Sequence, residues 1–308
     1  IIRPIFDNKY FTKLFHLSEN DYAFTFILRL IEYGPITMSK MLEQVNIDKL
    51  AVTNLLTYSS NDTLTPETRK LLIRSQILFK YLANSKFGIN LISALLDQFD
   101  DIITNSIKHP IPESLEFLGF VDEFSLEKTA ASKWRKIHSK IVPHLDSFCE
   151  IALNSCKEKY FPLTESCTNL STRIVSTTKK TTEKFIQLFT NLVSLFFKEK
   201  TNTFLHNSFH RIFNVLVQID KIDVKLLDQL NLFVIVTECY EKEEKGEFLP
   251  FAGQIHLIAR KMEHFVDKSK TVDIDKWKKY VMEKNKEIEH IKKENFGGHV
   301  PTDIINDI

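Results

Sequence analysis

The chain has 308 residues, of which 43% are apolar and 26% charged, so it can bury a sizeable core and is too apolar to be disordered. Lys and Arg number 41 and Asp and Glu 40, and the resulting net charge of +1 lacks the basic excess typical of nucleic-acid-binding proteins. Only 7 glycines are present, which argues against the phosphate loops and tight βα turns of parallel α/β enzymes, whereas 25 Phe suit packing between helices.

Cysteine usage and the lengths of the apolar runs indicate where the protein resides. The four cysteines are too few and too scattered for a disulfide framework, which favours a reducing compartment. The longest uninterrupted apolar run, Leu232 to Val236, is far shorter than the roughly 20 residues that a membrane span needs. We therefore expect a cytoplasmic protein, with the nucleus as a further location, and no membrane span.

Apolar residues recur at helical spacing in the first half of the chain. They predict helices over 22–33, 37–45, 48–57, 65–83 and 89–107. Thr65-Pro66-Glu67 is a strong helix start, because it supplies a capping hydroxyl, a proline at the first helical position and an acid in the first turn. Pro110 and Pro112 interrupt the chain, after which helices are predicted from about Ser125 to just before Pro143 and over 144–156.

Residues 162–182 differ from their surroundings in composition. They contain Pro162, Cys167 and many Ser and Thr, with few apolar anchors, and therefore predict a long loop or linker. The hydroxyls of 164–182 could accept phosphate groups, although a plain flexible loop is the simpler interpretation. The predicted organisation is thus N-terminal helical repeats over 1–161, a Ser/Thr-rich loop or linker over 162–182, and C-terminal repeats over 183–308 that continue the same array.

The second half predicts helices over 182–199, 203–218, 223–239, 252–266 and 273–294, with a charged loop from Glu241 to Gly246. The 223–239 helix is apolar nearly all round, which predicts burial between other helices. The last helix has Trp277 and Val281 on one side and Lys and Glu elsewhere. Its charged side is interpreted as a solvated face, with a protein-docking edge as the alternative.

No stretch alternates like a half-buried strand, so the predicted fold class is all-α. Helices of 10 to 20 residues joined by short turns favour an α-solenoid. Because no fixed period is visible, the repeats would be degenerate, like those of armadillo or HEAT arrays.

Two histidines at helical spacing, His206 and His210, are the strongest candidates for chemistry. The zinc-protease motif requires Glu directly after the first histidine, and Asn207 occupies that position. A metal site would also need a third ligand, which the sequence does not nominate. We interpret the pair as packed or surface histidines, with an enzyme that uses them as the remote alternative.

The other reactive or charged groups have structural explanations. Cys149 and Cys156 lie seven residues apart on one helix face and are interpreted as buried and inert, since nothing indicates the base that a nucleophilic thiol needs. Trp134 precedes basic residues that could contact nucleic acid or an acidic partner, but a solvated helix face is the simpler interpretation. Gly297-Gly298 predicts a helix stop rather than a phosphate loop. No catalytic, cofactor-binding or metal site is predicted.

Three elements in the second half form a recognisable series. Phe196-Phe197 ends one predicted helix, and Asn202-Thr203-Phe204-Leu205-His206 opens the next. Gly253-Gln254-Ile255-His256-Leu257-Ile258-Ala259 follows, and Trp277 precedes Asn285 by eight residues in Glu283-Lys284-Asn285. In these elements the chain resembles the SAPS-domain family, the regulatory subunits of protein phosphatase 6 and its fungal counterpart. Weaker similarity covers 55–103 and 144–148, and the middle, about 108–140, is shorter than in typical members.

The resemblance implies a non-catalytic subunit that binds a Ser/Thr phosphatase catalytic subunit and directs it to substrates, with a further adaptor or substrate protein as an additional partner. Nucleic acid is not among the expected partners. The family-motif residues are the candidates for partner binding: Asn202, Leu205, His206, Gly253, Gln254, His256, Trp277 and Asn285. Gln254 stands where the family has His, and His256 where it has Thr, so a phosphatase contact through them would be altered here. A general helical-repeat adaptor in trafficking or a large assembly is the alternative function.

The same motif residues have structural interpretations. Asn202 is a good N-cap for the helix that follows it. Leu205 and Trp277 are expected core anchors, and Gly253 is expected to permit close helix packing or a tight entry. The motifs therefore specify the fold more directly than they specify an activity.

Overall fold

The computed structural model describes residues 20–33, 47–59, 65–85, 88–127, 132–157 and 159–293. Within these ranges every regular element is helical, which confirms the all-α prediction. None of these helices combines the length and the apolar character that a membrane crossing requires. The predicted helix over 37–45 lies outside the described residues. The chain divides into two compact units, one comprising Ile1–Cys156 with Phe161–Ile174 and the other Lys157–Tyr160 with Val175–Ile308.

Among the residues that the structure describes, seven α-helices and part of an eighth belong to the first unit. They are α1 (Asp21–Tyr33), α2 (Ile47–Ser59), α3 (Pro66–Ala83), α4 (Gly88–Lys108), α5 (Pro112–Glu127), α6 (Ser132–Ile141), α7 (Leu145–Ser155) and α8 (Pro162–Thr178), which extends into the second unit. Helix α2 packs on α3 and α4, and α6 packs on α4 and α5. The predicted start of α3 is confirmed, because the Thr65 hydroxyl accepts a hydrogen bond from Thr68 N at 3.2 Å.

Helix α5 corrects the prediction that one helix begins near Ser125 and runs to Pro143. The predicted interruption is observed between Lys108 and Pro112, and Pro112 itself occupies the first turn of α5, where a missing N–H costs nothing. The described residues of the predicted helix belong to the end of α5 and to α6. Apolar side chains at helical spacing, including Leu115, Leu118 and Val121, bury one face of α5.

Helix α8 overturns the prediction of a loop or linker at 162–182, of which only 179–182 lies outside a helix. Pro162 is the first residue of α8. Ser and Thr hydroxyls of this helix donate hydrogen bonds to backbone carbonyl oxygens one turn earlier. Ser166 Oγ donates to Pro162 O at 3.0 Å, and Thr172 Oγ donates to Thr168 O at 2.6 Å. These internal hydrogen bonds let a hydroxyl-rich sequence pack as a helix. Several of its hydroxyl residues are buried, so phosphate transfer to them would require this helix to open: Thr164, Ser166, Thr168, Ser171 and Thr172.

In its described residues, the second unit contains the end of α8 and six further helices. They are α9 (Glu183–Lys198), α10 (Thr203–Gln218), α11 (Val224–Gln229), α12 (Leu232–Glu244), α13 (Ala252–Met262), continued by a 3₁₀ segment Glu263–Lys268, and α14. Helix α14 runs through Ile274–Lys276, a π-helical Trp277–Met282 and Glu283–Lys293. Helix α9 packs on α10, α10 on α13, and α12 on both α13 and the π segment of α14.

Two predicted boundaries in this unit are wrong. The continuous helix predicted over 223–239 breaks between α11 and α12, where Asn231 adopts a left-handed conformation with φ of 51°. Asn is one of the few residues other than Gly that adopt this conformation readily, so it permits the break. The charged loop predicted at Glu241 to Gly246 is helical as far as Glu244, and the chain turns at Gly246 with φ of 80°.

Candidate functional site

The eight candidate residues all lie in the second unit, on α10, α13 and α14 or at the start of α10. They do not form one exposed site. Asn202, Leu205 and His206 form a helix-start cluster together with Phe196 and Phe251. His256 and Asn285 belong to a polar network around Tyr240, Trp277 lies in the core, and Gly253 and Gln254 lie at the surface side of α13.

Asn202 in the helix-start cluster caps α10, as predicted. Its Oδ1 accepts a hydrogen bond from Leu205 N at 3.1 Å, and its Nδ2 donates to Glu199 Oε2 at 2.7 Å. Glu199 Oε1 in turn accepts from Tyr160 N at 2.7 Å. Both polar atoms of the Asn202 side chain are thus occupied within the fold, and Leu205 is fully buried behind them.

His206 is a core histidine. Its Nε2 donates to the Phe196 carbonyl oxygen at 3.2 Å, and its ring lies 4.5 Å from the Phe196 ring and 5.1 Å from the Phe251 ring. Burial lowers the pKa of His206, because removal from water disfavours the charged imidazolium, while the hydrogen bond to Phe196 acts in the opposite direction. The proton on Nε2 ties α10 to the end of α9.

His210 does not join His206 in a shared site. Asn214 Nδ2 lies 3.1 Å from His210 Nε2, one turn further along α10. Burial also lowers the pKa of His210, and the positive charges of Lys261 and Arg211 add to this effect. Among the described residues, no group of three or more His, Cys, Asp or Glu side chains has an arrangement that could hold a metal ion.

Gly253 does not have the role that its size suggested. It lies at the exposed start of α13, and a Cβ built on it meets nothing within 4 Å. The expectation of close packing or a tight entry is therefore wrong, because neither backbone conformation nor space demands glycine there. The next residue, Gln254, donates from Nε2 to Asn207 Oδ1 at 3.2 Å and so joins the outer sides of α13 and α10.

The polar network around Tyr240 joins α12, α14 and the 3₁₀ segment after α13. The buried Tyr240 hydroxyl donates to Asn285 Oδ1 at 2.9 Å, and Asn285 Nδ2 donates to Glu263 Oε1 at 2.7 Å. His256 Nε2 lies 2.8 Å from Glu243 Oε2, and its ring packs 4.8 Å from the Tyr240 ring. Burial raises the pKa of Tyr240, so this hydroxyl stays protonated and acts as a donor.

Trp277 is an internal anchor and not a contact residue. It is fully buried, and its ring meets the Phe233 ring edge-on at a centroid distance of 5.6 Å. The interpretation of Leu205 and Trp277 as core anchors is thereby confirmed.

A pocket of about 220 Å³ opens beside the polar network, between α12 and α14. Four glutamates and two lysines line it with the rings of Tyr240 and Tyr280, and Lys284 Nζ pairs with Glu287 Oε2 at 2.9 Å. The mixed charge fits the exposed face predicted for the last helix.

The remaining sequence candidates lie in ordinary surroundings. All four cysteines are buried thiols, and burial raises the pKa of the Cys239 thiol to about 11. In the basic segment after Trp134, Lys140 pairs with Asp100, and His138 Nδ1 lies 2.7 Å from the buried Asp122 Oδ1. Arg135 and Lys136 are exposed.

The sequence did not point to the partners that hold these residues in place. Glu199, Tyr240 and Glu263 carry no motif, and Tyr240 and Asn285 are 45 residues apart. Phe251 had no signal beyond being apolar. Comparison of the chain with family models, curated proteins and solved structures finds no match.

Proposed function

We propose that the chain is a non-catalytic regulatory subunit that binds a Ser/Thr protein phosphatase catalytic subunit of the type 6 class and directs it to substrates. One observation supports this proposal: the residues that carry the family resemblance all lie in the second unit. Elements from Phe196 to Asn285, separated along the chain, pack in one unit, where they fix how α9, α10, α12, α13 and α14 meet. A family that shares these residues would share this arrangement of helices.

A scaffold role also fits the packing of the helices. Helix α9 packs on α10 and α12 on α13, while α10 contacts α13 across the pairs. We infer from this layering that the helices are degenerate armadillo- or HEAT-like repeats. Such arrays offer long ridges that can hold one protein and present another. In this proposal the catalytic metals belong to the partner.

The direct experiment mixes the purified full chain with a purified type 6 phosphatase catalytic subunit and measures complex formation by gel filtration and calorimetry. We expect a stoichiometric complex, and no complex with a type 1 catalytic subunit used as the control. Two free proteins in the first mixture, together with no Ser/Thr phosphatase catalytic subunit co-purifying from native cells, would leave the general adaptor as the better function.

A second experiment addresses the two positions where the chain departs from the family. Gln254→His restores the family residue on the partly exposed side of α13. If the phosphatase contacts this side, the substitution should raise affinity severalfold, whereas Lys225→Glu on α11 should leave it unchanged. His256→Thr is less suitable alone, because it also removes the contact with Glu243 inside the fold.

The alternative that the chain is an enzyme using His206 and His210 can be tested by metal analysis. Metal analysis of the purified protein should give no stoichiometric zinc if His206 and His210 are structural. Stoichiometric zinc that disappears in a His210→Ala variant would favour a metalloenzyme.

A further inference from the structure

A basic groove lies at the junction between α9 and α10, in the second unit. It has a volume of about 780 Å³, and the chain from Lys198 to Phe204 forms most of its wall, which Lys159 completes. Lys159, Lys198 and Lys200 are all exposed. This groove is separate from the pocket between α12 and α14, which shares no residue with it.

The one carboxylate in the groove wall, that of Glu199, is hydrogen-bonded within the fold. Glu199 Oε2 accepts from Asn202 Nδ2 at 2.7 Å, and Glu199 Oε1 accepts from Tyr160 N at 2.7 Å. Both oxygens are therefore held by the fold. Within the described part of the chain, neither Lys159 nor Lys200 has a carboxylate at ion-pair distance, so both ammonium groups are available to a ligand in the groove.

An apolar group stands among these charges. The Phe204 side chain is 65% exposed, although it lies in the first turn of α10, where the next two residues, Leu205 and His206, are buried. The first turn of the 16-residue α10 adds the positive end of a helix dipole at the same place. Positive charges around an exposed aromatic ring complement a negatively charged ligand that also has an apolar group.

We propose that this groove is a docking site for an acidic peptide segment with an aromatic side chain. Asp and Glu of the segment pair with Lys159 and Lys200, and its ring packs on Phe204. A peptide fits better than nucleic acid, because nucleic-acid binding draws on a larger basic surface and the chain as a whole has a net charge of only +1. The proposal does not depend on the phosphatase assignment, since the groove would bind the peptide in the isolated chain.

The test uses the full chain and a fluorescein-labelled ten-residue peptide of Asp and Glu around one Phe, with binding followed by anisotropy. Two matched peptides carry Asn and Gln in place of the acids, or Ala in place of the Phe. We expect micromolar binding of the first peptide, weakening with salt, and at least about tenfold weaker binding of the uncharged peptide.

Variants locate the binding on the molecule. Lys159→Glu with Lys200→Glu should weaken binding by at least about tenfold, because two attractive charges become repulsive. Lys225→Glu with Lys268→Glu, two exposed lysines outside the groove, should change binding by less than about twofold. Phe204→Ser should abolish the preference for the Phe peptide over the Ala peptide.

Several results would overturn the proposal. They are equal losses in the groove and control variants, equal binding of the charged and uncharged peptides, or tighter binding of an oligouridylate or of phosphatidylserine vesicles that depends on the same lysines. Circular dichroism of each variant establishes that it is folded. Failure to bind a phosphatase would leave these outcomes unaffected, so the two proposals fail separately.

Discussion

The Tyr240 hydroxyl donates a hydrogen bond to Asn285 Oδ1 at 2.9 Å, and this bond joins α12 to α14 in the interior of the second unit. Asn285 Nδ2 in turn donates a hydrogen bond to Glu263 Oε1 at 2.7 Å. One amide therefore fixes three segments that are 22 and 45 residues apart along the chain. Asn285, a candidate for partner binding in the sequence, thus forms hydrogen bonds inside the fold, and we call the Tyr240–Asn285–Glu263 chain of bonds the clasp.

The first prediction concerns this clasp. Asn285→Ala should lower the free energy of unfolding by about 2 kcal/mol, because it leaves the buried Tyr240 hydroxyl without its acceptor, and Tyr240→Phe should cost about 1 kcal/mol. Urea unfolding followed by circular dichroism measures both. The double variant should lose less than the sum of the two, since the second substitution has no bond left to break. Strict additivity would contradict the bond.

The second prediction is a pH dependence due to His206. Burial lowers its folded-state pKa below the ordinary value of about 6.5, so the unfolded chain takes up a proton first as the pH falls. The associated stability is present above about pH 6.5 and is lost as the pH falls towards the folded-state pKa. His206→Gln should therefore lose less stability than the unsubstituted protein between pH 7 and pH 5.

The control for this experiment is His264→Gln, because His264 is exposed on the 3₁₀ segment after α13. It should keep the full loss of stability at low pH. His210 contributes in the same direction as His206, so some pH dependence remains in His206→Gln. An unchanged slope in His206→Gln would mean that this imidazole titrates as readily in the folded protein as in the unfolded chain.

The third prediction tests Trp277 as a core anchor. Trp277→Ala should cost at least about 3 kcal/mol, because it empties a fully buried site. Trp277→Phe should cost about 1 kcal/mol, since the smaller ring leaves a gap but removes an indole N–H that has no hydrogen-bond partner among the described residues. On a Trp134→Phe background, the emission of Trp277 should be blue-shifted in the folded protein. Water-like emission before unfolding would contradict its burial.

Several elements were predictable because their signals are local. Helix α10 was predicted at its observed bounds, since Asn202 supplies the cap and a strong apolar stripe follows. The break at Asn231 was missed, because apolar residues continue through it and only the backbone conformation reveals the turn. The roles of His256 and Asn285 were not predictable either, since their partners come from other helices and leave no mark on the neighbouring sequence.

In helix α8 a helix was mistaken for a loop, and the reason for this error leads to the fourth prediction. Its hydroxyls suggested a loop, but buried residues at 167, 170 and 174 follow a helical stripe that the Ser and Thr obscured. Two of the buried hydroxyls, on Thr168 and Ser171, have no hydrogen-bond partner among the described residues. A buried hydroxyl without a partner is a cost to the fold.

Thr168→Val should therefore raise the free energy of unfolding by about 1 kcal/mol, because valine keeps the shape of threonine and removes the unpaired hydroxyl. Thr172→Val is the matched control on the next turn. Its hydroxyl donates to Thr168 O at 2.6 Å, so its removal should give no gain and a loss of up to about 1 kcal/mol. Urea unfolding of the two variants measures the difference directly. Equal effects of the two substitutions would mean that the Thr168 hydroxyl has a partner, such as an internal water, and that α8 is hydrated inside the first unit.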